Sequence, residues 1–132
     1  MKHKIITIEN HPESELASTR CKLSSKKVGN DFDLEIFKAI IPEQVDDLMK
    51  KFKLEWTYPD HHRLNYKSGL HLHPYTTANM KARIGCALSH YILWKECLEE
   101  NEPILVLEHD AKFLRKLEYD YILKSKFDII GI

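Results

Sequence analysis

The chain has 132 residues, with 20 basic and 20 acidic side chains and a formal net charge of zero. This length predicts a single domain over residues 1–132 with a real hydrophobic core. The balanced charge argues against nucleic acid as the main partner. No apolar run approaches the roughly 18 residues of a membrane span, and the short run near the N-terminus does not fit a signal peptide.

The three cysteines, Cys21, Cys86 and Cys97, show no CxxC spacing. An odd number of cysteines without a spacing pattern indicates free thiols in a reducing compartment. We therefore expect a cytoplasmic protein.

The first third of the chain predicts a strand, a helix and a second strand. A β-branched run over 2–9 predicts the first strand. Residues 10–29 predict a helix, with Asn10 as its cap and Gly29 after its basic end. Residues 32–40 alternate between apolar and polar side chains, which predicts the second strand.

Helix signals dominate the middle of the chain. Pro42 opens a predicted amphipathic helix whose apolar face carries Val45, Leu48, Met49 and Phe52. Residues 54–77 hold no helical period and predict a long loop with a short hairpin, a type of segment that often binds ligands. Residues 79–101 predict the strongest helix, with a stripe that includes Tyr91 and Trp94 and is expected in the core.

The C-terminal region predicts a buried strand at 104–108, a short helix near 117–125 and a last strand at 127–132. This alternation predicts an α/β domain with a mostly parallel sheet. Ligands of such sheets bind beyond the carboxyl ends of the strands, where residues 108–110 would lie. Because the chain stops within an apolar strand, we expect a short or truncated version of the fold.

The tripeptide Glu108-His109-Asp110 follows the strand at 104–108 directly. Two carboxylates at this position can approach one cation, and their hard oxygens suit Mg²⁺ or Mn²⁺. Such a metal would neutralise a diphosphate leaving group. The alternative is a solvated turn with two surface acids.

Ser89 and His90 lie one turn past Gly85 on the predicted helix at 79–101. The glycine permits close backbone approach, and the serine and histidine can donate hydrogen bonds to phosphate oxygens. The alternative is a packing glycine with a buried, hydrogen-bonded histidine.

Four histidines fall in the predicted loop: His61, His62, His71 and His73. His71 and His73 share one face of an extended chain, so a zinc site is a further option. No cysteine lies near them, and the spacing matches no closed zinc motif.

The segment ARIGCALSHYILWKECLEENEPILVLEHDAKF resembles the central motif of glycosyltransferase family 25, which includes lipooligosaccharide and collagen galactosyltransferases. The resemblance is specific over residues 82–113 and spans most of the chain in element order. The matching positions are Ile84, Gly85, Cys86, Ser89, His90, Leu107, Glu108 and Asp110. His109 stands at the family's middle Asp, and Thr7 stands at an Asn that ends the family's first strand.

The resemblance implies a GT-A-type, Rossmann-like domain that binds a nucleotide-sugar donor, expected to be a UDP-hexose, together with Mn²⁺ or Mg²⁺. Carried over by position, Glu108 and Asp110 become metal ligands, and Asp110 becomes the catalytic candidate. The implied donor-binding residues are Thr7, Gly85, Ser89, His90 and Glu108.

The implied function is transfer of a hexose, expected to be galactose, to a glycan acceptor in lipopolysaccharide or cell-surface glycan biosynthesis. Residues 1–132 would form a single domain that is the donor-binding half of the enzyme; if the fold is truncated, the missing part would carry the acceptor contacts. The alternative is a truncated or diverged domain that binds a nucleotide-sugar without turnover.

Overall fold

The computed structural model describes residues 1–58, 61–74, 77, 79–126 and 129–131. The chain divides into two compact units, unit 1 (Met1–Phe37 and Leu105–Ile132) and unit 2 (Lys38–Ile104). The expectation of one domain stays a prediction. The elements in chain order are β1 Lys2–Thr7, α1 Pro12–Lys27, β2 Glu35–Lys38, a 3-10 turn Pro42–Gln44, α2 Val45–Phe52, β3 Arg63–Asn65, β4 Leu70–Leu72, α3 Met80–Glu100, β5 Ile104–Glu108 and α4 Tyr119–Leu123.

Unit 1 is built on a three-stranded parallel sheet with the strand order β2-β1-β5. The predicted α/β class is therefore confirmed. The central strand β1 packs against α1, and the core around them contains Ile5, Cys21 and Leu34. Four partly buried side chains complete this core, Phe32, Leu107, Ala111 and Phe113.

Small polar side chains, rather than large apolar ones, form the buried face of α1. Ser14, Ser18, Cys21 and Ser25 are each at most 2% exposed, and their spacing places them on one side of the helix. Leu16 and Leu23 are 51% and 61% exposed. Small residues at the contact let α1 lie close to the sheet.

The predicted helix α1 is confirmed, but its cap is His11 and not Asn10. Asn10 has a left-handed backbone with a φ of 57°. His11 has an extended backbone, and its Nδ1 accepts a hydrogen bond from the Ser14 N–H at 3.3 Å. Pro12 takes the first helical position, where its missing N–H costs nothing.

Strand β2 is shorter than the alternating pattern predicts. The structure has a strand only over Glu35–Lys38, while Leu34 lies before it and is 6% exposed. Ile36 lies within the strand and is 54% exposed. The alternation therefore overestimates both the length of the strand and its buried face.

Unit 2 is organised around α3. The helix predicted over residues 79–101 is confirmed. Asn79 caps it by accepting a hydrogen bond from the Ala82 N–H at 3.1 Å. Asn101 ends it with a left-handed φ of 51°. Both α2 and the 3-10 turn pack against α3, and Val45 at the start of α2 is 2% exposed.

The predicted apolar stripe of α3 is only partly correct. The buried residues of the helix are Gly85, Leu88, Ser89 and Leu93. Trp94 is 49% exposed and Leu98 is 80% exposed, so the core position predicted for Trp94 is wrong. Tyr91 does pack inward, with its ring 5.3 Å from that of Phe52. A glycine and a serine define the contact face because the helix approaches backbone there.

The long loop contains the predicted hairpin. Strands β3 and β4 pair antiparallel, with Leu64 opposite His71. Asn65 accepts hydrogen bonds from the N–H groups of Lys67 and Ser68. Gly69 has a φ of 69°, a backbone conformation that glycine adopts at no steric cost.

The last predicted strand, at 127–132, lies partly outside the described residues. Its described residues, 129–131, are not in a strand. The predicted short helix is present as α4. Among the described residues, no helix is both long and apolar enough to span a membrane.

Candidate functional site

The Glu-His-Asp turn follows β5 at the predicted residues. The Ala111 N–H donates to the Glu108 carbonyl at 3.0 Å and closes a tight turn over residues 108–111. Since β5 pairs with the parallel strand β1, the turn lies at the carboxyl edge of the sheet, where α/β domains bind ligands. Glu108 and Asp110 are both exposed there.

Asp110 lines a cleft that helix α1 shares with the turn. The cleft has a volume of about 410 Å³, and its lining residues are Ala17, Arg20, Ser24, Asp110, Ala111 and Lys112. This volume lies within the range of small-molecule sites, roughly 300–1,000 Å³. The two cations, Arg20 and Lys112, exceed the one carboxylate, so the lining carries a net positive charge that suits an anion.

Side-chain hydrogen bonds hold the segment after the turn against α1. Ser24 Oγ accepts from the Phe113 N–H at 3.0 Å and donates to the Cys21 carbonyl at 2.7 Å. Asn30 Oδ1 accepts from the Leu117 N–H at 2.9 Å. These bonds keep Asp110 and Lys112 near the helix face that carries Arg20.

The buried thiol of Cys21 interacts electrostatically with the same turn. Burial raises the pKa of Cys21, and the negative charge of Asp110 raises this pKa further, although Lys22 lowers it. The thiol is therefore kept protonated beside a carboxylate. A neutral thiol there packs as a small apolar group and leaves Asp110 as the nearby acid.

The carboxylate oxygens of the turn are suitable ligands for a divalent cation. Glu108 and Asp110 both supply hard carboxylate oxygens, the ligands that Mg²⁺ and Mn²⁺ prefer. Mg²⁺ is usually held by one or two carboxylates, with substrate phosphates and water in the other positions. The two acids would hold the ion, which when bound neutralises charge on a diphosphate.

Thr7, predicted to contact the donor, has its hydroxyl inside unit 1. Thr7 is 2% exposed, and its Oγ1 lies 2.6 Å from Ser18 Oγ. Ser18 Oγ also lies 2.9 Å from the Ser14 carbonyl and Thr7 Oγ1 lies 3.4 Å from the Ile5 carbonyl, so either hydroxyl can donate within the Thr7–Ser18 pair. The hydroxyl links β1 to α1, and contact of Thr7 with a nucleotide-sugar stays a prediction.

Gly85 and Ser89, also predicted to contact the donor, pack against the backbone of Ile40. A Cβ at Gly85 would lie 2.4 Å from the Ile40 carbonyl oxygen. Ser89 is fully buried, and its Oγ accepts from the Ile40 N–H and donates to the Gly85 carbonyl, each at 2.9 Å. Both residues therefore have a packing role in unit 2, and their donor-binding role stays a prediction.

His90, the third predicted donor residue of α3, is partly buried. Its ring lies 6.2 Å from that of Trp94, one turn further along the helix. The alternative of a fully buried histidine is thus not what the structure shows. Contact of His90 with a donor stays a prediction.

The zinc option receives no support from the loop. His62 and His73 bring their Nδ1 atoms to 2.8 Å, but the His71 ring lies 6.3 Å from the His73 ring. Within the described part of the loop, no third ligand joins this pair closely enough to form a metal-binding group.

Sequence reasoning did not assign Arg20, Ser24 or Lys112 to the site. A signal for these residues exists in the sequence. Ala17, Arg20 and Ser24 are spaced i, i+3 and i+7, which is one helix face, and Lys112 follows Asp110 by two residues. What the sequence does not show is that this face lies beside the turn.

Comparison with protein families assigns the chain to a known group. The profile of glycosyltransferase family 25, described as an LPS biosynthesis protein, matches residues 9–129. The chain belongs to glycosyltransferase family 25. No curated protein and no solved structure gives a significant match.

Membership of glycosyltransferase family 25 confirms the resemblance read from the motif over residues 82–113. It also identifies the general class, a glycosyltransferase of LPS biosynthesis. In this family member Asp110 of the Glu-His-Asp turn, the two residues after it and one face of α1 line one cleft within unit 1.

Proposed function

We propose that this family 25 member transfers a hexose, expected to be galactose, from a UDP-sugar to a glycan acceptor of lipopolysaccharide. The observation that supports this proposal is the cleft in which Asp110 lies with Arg20 and Lys112. A diphosphate carries several negative charges. A divalent cation held by Asp110, together with the side chains of Arg20 and Lys112, would neutralise them.

In the proposed transfer, a hydroxyl oxygen of the acceptor forms a bond to the anomeric carbon of the sugar. The bond between that carbon and the diphosphate oxygen breaks, and its electron pair leaves with UDP. The acceptor hydroxyl loses its proton to a base. Negative charge therefore grows on the diphosphate, and cationic groups placed beforehand stabilise that charge best.

The positions of acidic and basic side chains along α1 and in the cleft indicate where the diphosphate binds. The first turn of α1 carries Glu13 and Glu15, and the Glu15 carboxylate accepts the Asn10 N–H at 3.0 Å. This acidic end repels an anion. Arg20 and Lys112 attract one, so we place the diphosphate beside them, with a divalent cation held by Glu108 and Asp110.

The remaining predicted residues do not line this cleft. Thr7 holds β1 to α1, the two elements at whose edge the site is formed. We propose that Gly85 and Ser89 act by fixing the segment around Ile40, and that partly exposed His90 contacts the sugar donor. The free thiols of Cys21, Cys86 and Cys97 suit a reducing compartment, so we place the reaction in the cytoplasm.

A second candidate is a domain that binds the nucleotide-sugar without turnover. The observation that favours it is His109, which replaces a carboxylate of the family motif and removes one negative charge beside the metal. Release of UDP from a UDP-hexose, measured with a purified glycan acceptor, distinguishes the two. Binding without release would identify this second candidate.

The proposed donor site is tested by calorimetric titration of UDP, with and without Mn²⁺, into the wild type and Asp110→Asn. We expect binding to the wild type with Mn²⁺ and at least a tenfold weaker affinity for the variant. The substitution keeps the shape of the side chain and removes the charge that holds the cation.

Asp33→Asn is the matched control. Asp33 is an exposed acid of unit 1 that precedes β2 and so lies toward the amino end of that strand. Its substitution should leave the UDP affinity unchanged. Equal UDP affinity of wild type and Asp110→Asn in the presence of Mn²⁺ would contradict the proposed site.

A further inference from the structure

A second cleft, within unit 2, is lined by groups of a different character. Residues 55–58, which follow α2, and residues 71–73, at the end of β4, enclose about 690 Å³. We call it the aromatic cleft. Its volume lies within the range of small-molecule sites. None of the predicted donor-site residues lines it, and His71 and His73 are the pair considered above for zinc.

Two aromatic rings dominate one side of the aromatic cleft. Trp56 and Tyr58 alternate along the chain, and their ring centroids lie 6.2 Å apart at an angle of 37°. Tyr58 is 45% exposed, which leaves its ring accessible to a ligand, and tyrosine is enriched at interfaces. The Arg83 guanidinium lies 4.1 Å from the Tyr58 ring centroid, which restrains the ring by a cation–π contact.

Hydrogen-bonding groups border these rings. Glu55, His71 and His73 line the same cleft and are exposed. Tyr58 Oη donates to the His73 carbonyl at 3.4 Å, and His62 Nδ1 contacts His73 Nδ1 at 2.8 Å. The two sides of the cleft are thus tied together, and the ring of His73 is held in place.

The indole N–H of Trp56 is an additional sign of an incomplete site. Trp56 Nε1 is enclosed and has no hydrogen-bond partner among the residues that the structure describes. Leaving such a donor unsatisfied destabilises the folded state. A native structure usually satisfies such a group with an ordered water or a ligand atom.

We propose that the aromatic cleft binds a saccharide, the glycan acceptor of the transferase, with a pyranose ring stacked on Trp56 or Tyr58. Pyranoses expose a face of C–H groups, which aromatic rings cover favourably by burying apolar area. Their hydroxyl groups need donors and acceptors at the edge, which Glu55 and His71 supply. The assignment of this saccharide as the acceptor rests on the proposed transferase function.

Charge distinguishes a saccharide from a nucleotide as the occupant. A nucleotide base would also stack on Trp56 or Tyr58, but its phosphates would meet the Glu55 carboxylate in this cleft. The cleft of unit 1 offers Arg20 and Lys112 instead. A neutral, hydroxyl-rich ligand therefore fits the aromatic cleft better than a nucleotide does.

Tryptophan fluorescence provides the test. The chain has two tryptophans, and a Trp94→Phe variant leaves Trp56 as the reporter. Methyl glycosides and disaccharides of glucose, galactose and N-acetylglucosamine are titrated into this variant. We expect a saturable change in emission with at least one of these sugars, and loss of binding of at least tenfold on further substitution of Tyr58→Ala or Glu55→Gln.

Saturation-transfer NMR on the full chain extends the test to Trp56 itself. Trp56→Ala should lose the saccharide signal, and Trp94→Ala, which truncates the other tryptophan, should keep it. Far-ultraviolet circular dichroism checks that each variant is folded. If Trp56→Ala unfolds, Glu55→Gln, at an exposed position of the cleft, replaces it in this experiment and should lose the saccharide signal.

The outcomes separate this inference from the proposed function. No sugar binding, with Mn²⁺-dependent UDP binding intact, overturns the inference and leaves the transferase proposal standing. Sugar binding that survives in both Asp110→Asn and Trp56→Ala also overturns it. Loss of UDP binding in Trp56→Ala would assign the aromatic cleft to the donor and overturn the acceptor assignment. Sugar binding lost in Trp56→Ala and kept in Asp110→Asn supports it, even if UDP does not bind.

Discussion

Gly85 shows how the absence of one side chain positions a helix. The Ile40 carbonyl oxygen occupies the space in which a Cβ would lie. Ser89, one turn further along α3, accepts the Ile40 N–H at 2.9 Å. The glycine permits the approach, and the serine satisfies the backbone group that the approach buries.

We expect Gly85→Ala to destabilise the protein, lowering the free energy of unfolding by about 1–3 kcal/mol, the usual cost of overpacking. Helix propensity alone predicts the opposite sign, a gain of about 0.8–1.0 kcal/mol. Urea unfolding monitored by circular dichroism gives the sign directly. A stabilised Gly85→Ala variant would show that the contact with Ile40 does not constrain the helix.

At the scale of elements, an aromatic cluster attaches the short helix α4 to the sheet of unit 1. Tyr119 begins α4, and its hydroxyl lies 2.6 Å from Nε2 of His3 in β1. The ring of Phe32 stacks on His3 at 4.1 Å and lies 5.6 Å from that of Tyr119. A helix of only five residues has little stability of its own, so this cluster holds it in place.

The cluster predicts a loss of stability at high pH. Burial, and then the negative charge of Asp31, raise the pKa of Tyr119 to about 12. An unfolded tyrosine ionises near pH 10. The protonated tyrosine therefore contributes stability that is present below about pH 10 and is lost as the pH rises toward 12.

Absorbance of tyrosinate, followed during alkaline titration, measures this effect. We expect a late ionisation step near pH 12 that disappears in Tyr119→Phe. Tyr66→Phe, at a ring that is 90% exposed, is the matched control and should retain the step. A late step that persists in Tyr119→Phe would assign it to another group.

At the scale of the whole molecule, the candidate donor site joins segments that are far apart in the chain. Arg20 lies on α1 near the N-terminus, and Asp110 and Lys112 follow β5. In an unfolded chain these residues have no fixed relation, so a ligand of the site binds only the folded state. Such a ligand raises the free energy of unfolding by mass action.

We expect UDP and Mn²⁺ together to raise the melting temperature of the wild type. At a ligand concentration of 100 times Kd, the gain in unfolding free energy is about 2.7 kcal/mol, a shift of several degrees for a chain of this size. Asp110→Asn should show no shift, and Asp33→Asn should show the full shift. An equal shift in Asp110→Asn would place the nucleotide elsewhere.

Local signals in the sequence were sufficient for several elements. Helix α3 was predictable because Asn79 and Asn101 mark its two ends, and β5 because an uninterrupted apolar run ends on Glu108. The hairpin was predictable because turn residues separate two short extended runs. In each case the cause lies within a few residues of the effect, so the sequence shows both.

The tertiary structure alone decided which residues meet. Burial of serines along α1, the exposure of Trp94 and the pairing of Gly85 with Ile40 depend on how closely one element approaches another. The same is true of Arg20 and Lys112 beside Asp110. The family and the Glu-His-Asp turn could thus be read from the sequence. The cations Arg20 and Lys112 beside Asp110 and the aromatic cleft could not, because contacts between distant segments leave no periodic pattern in either segment.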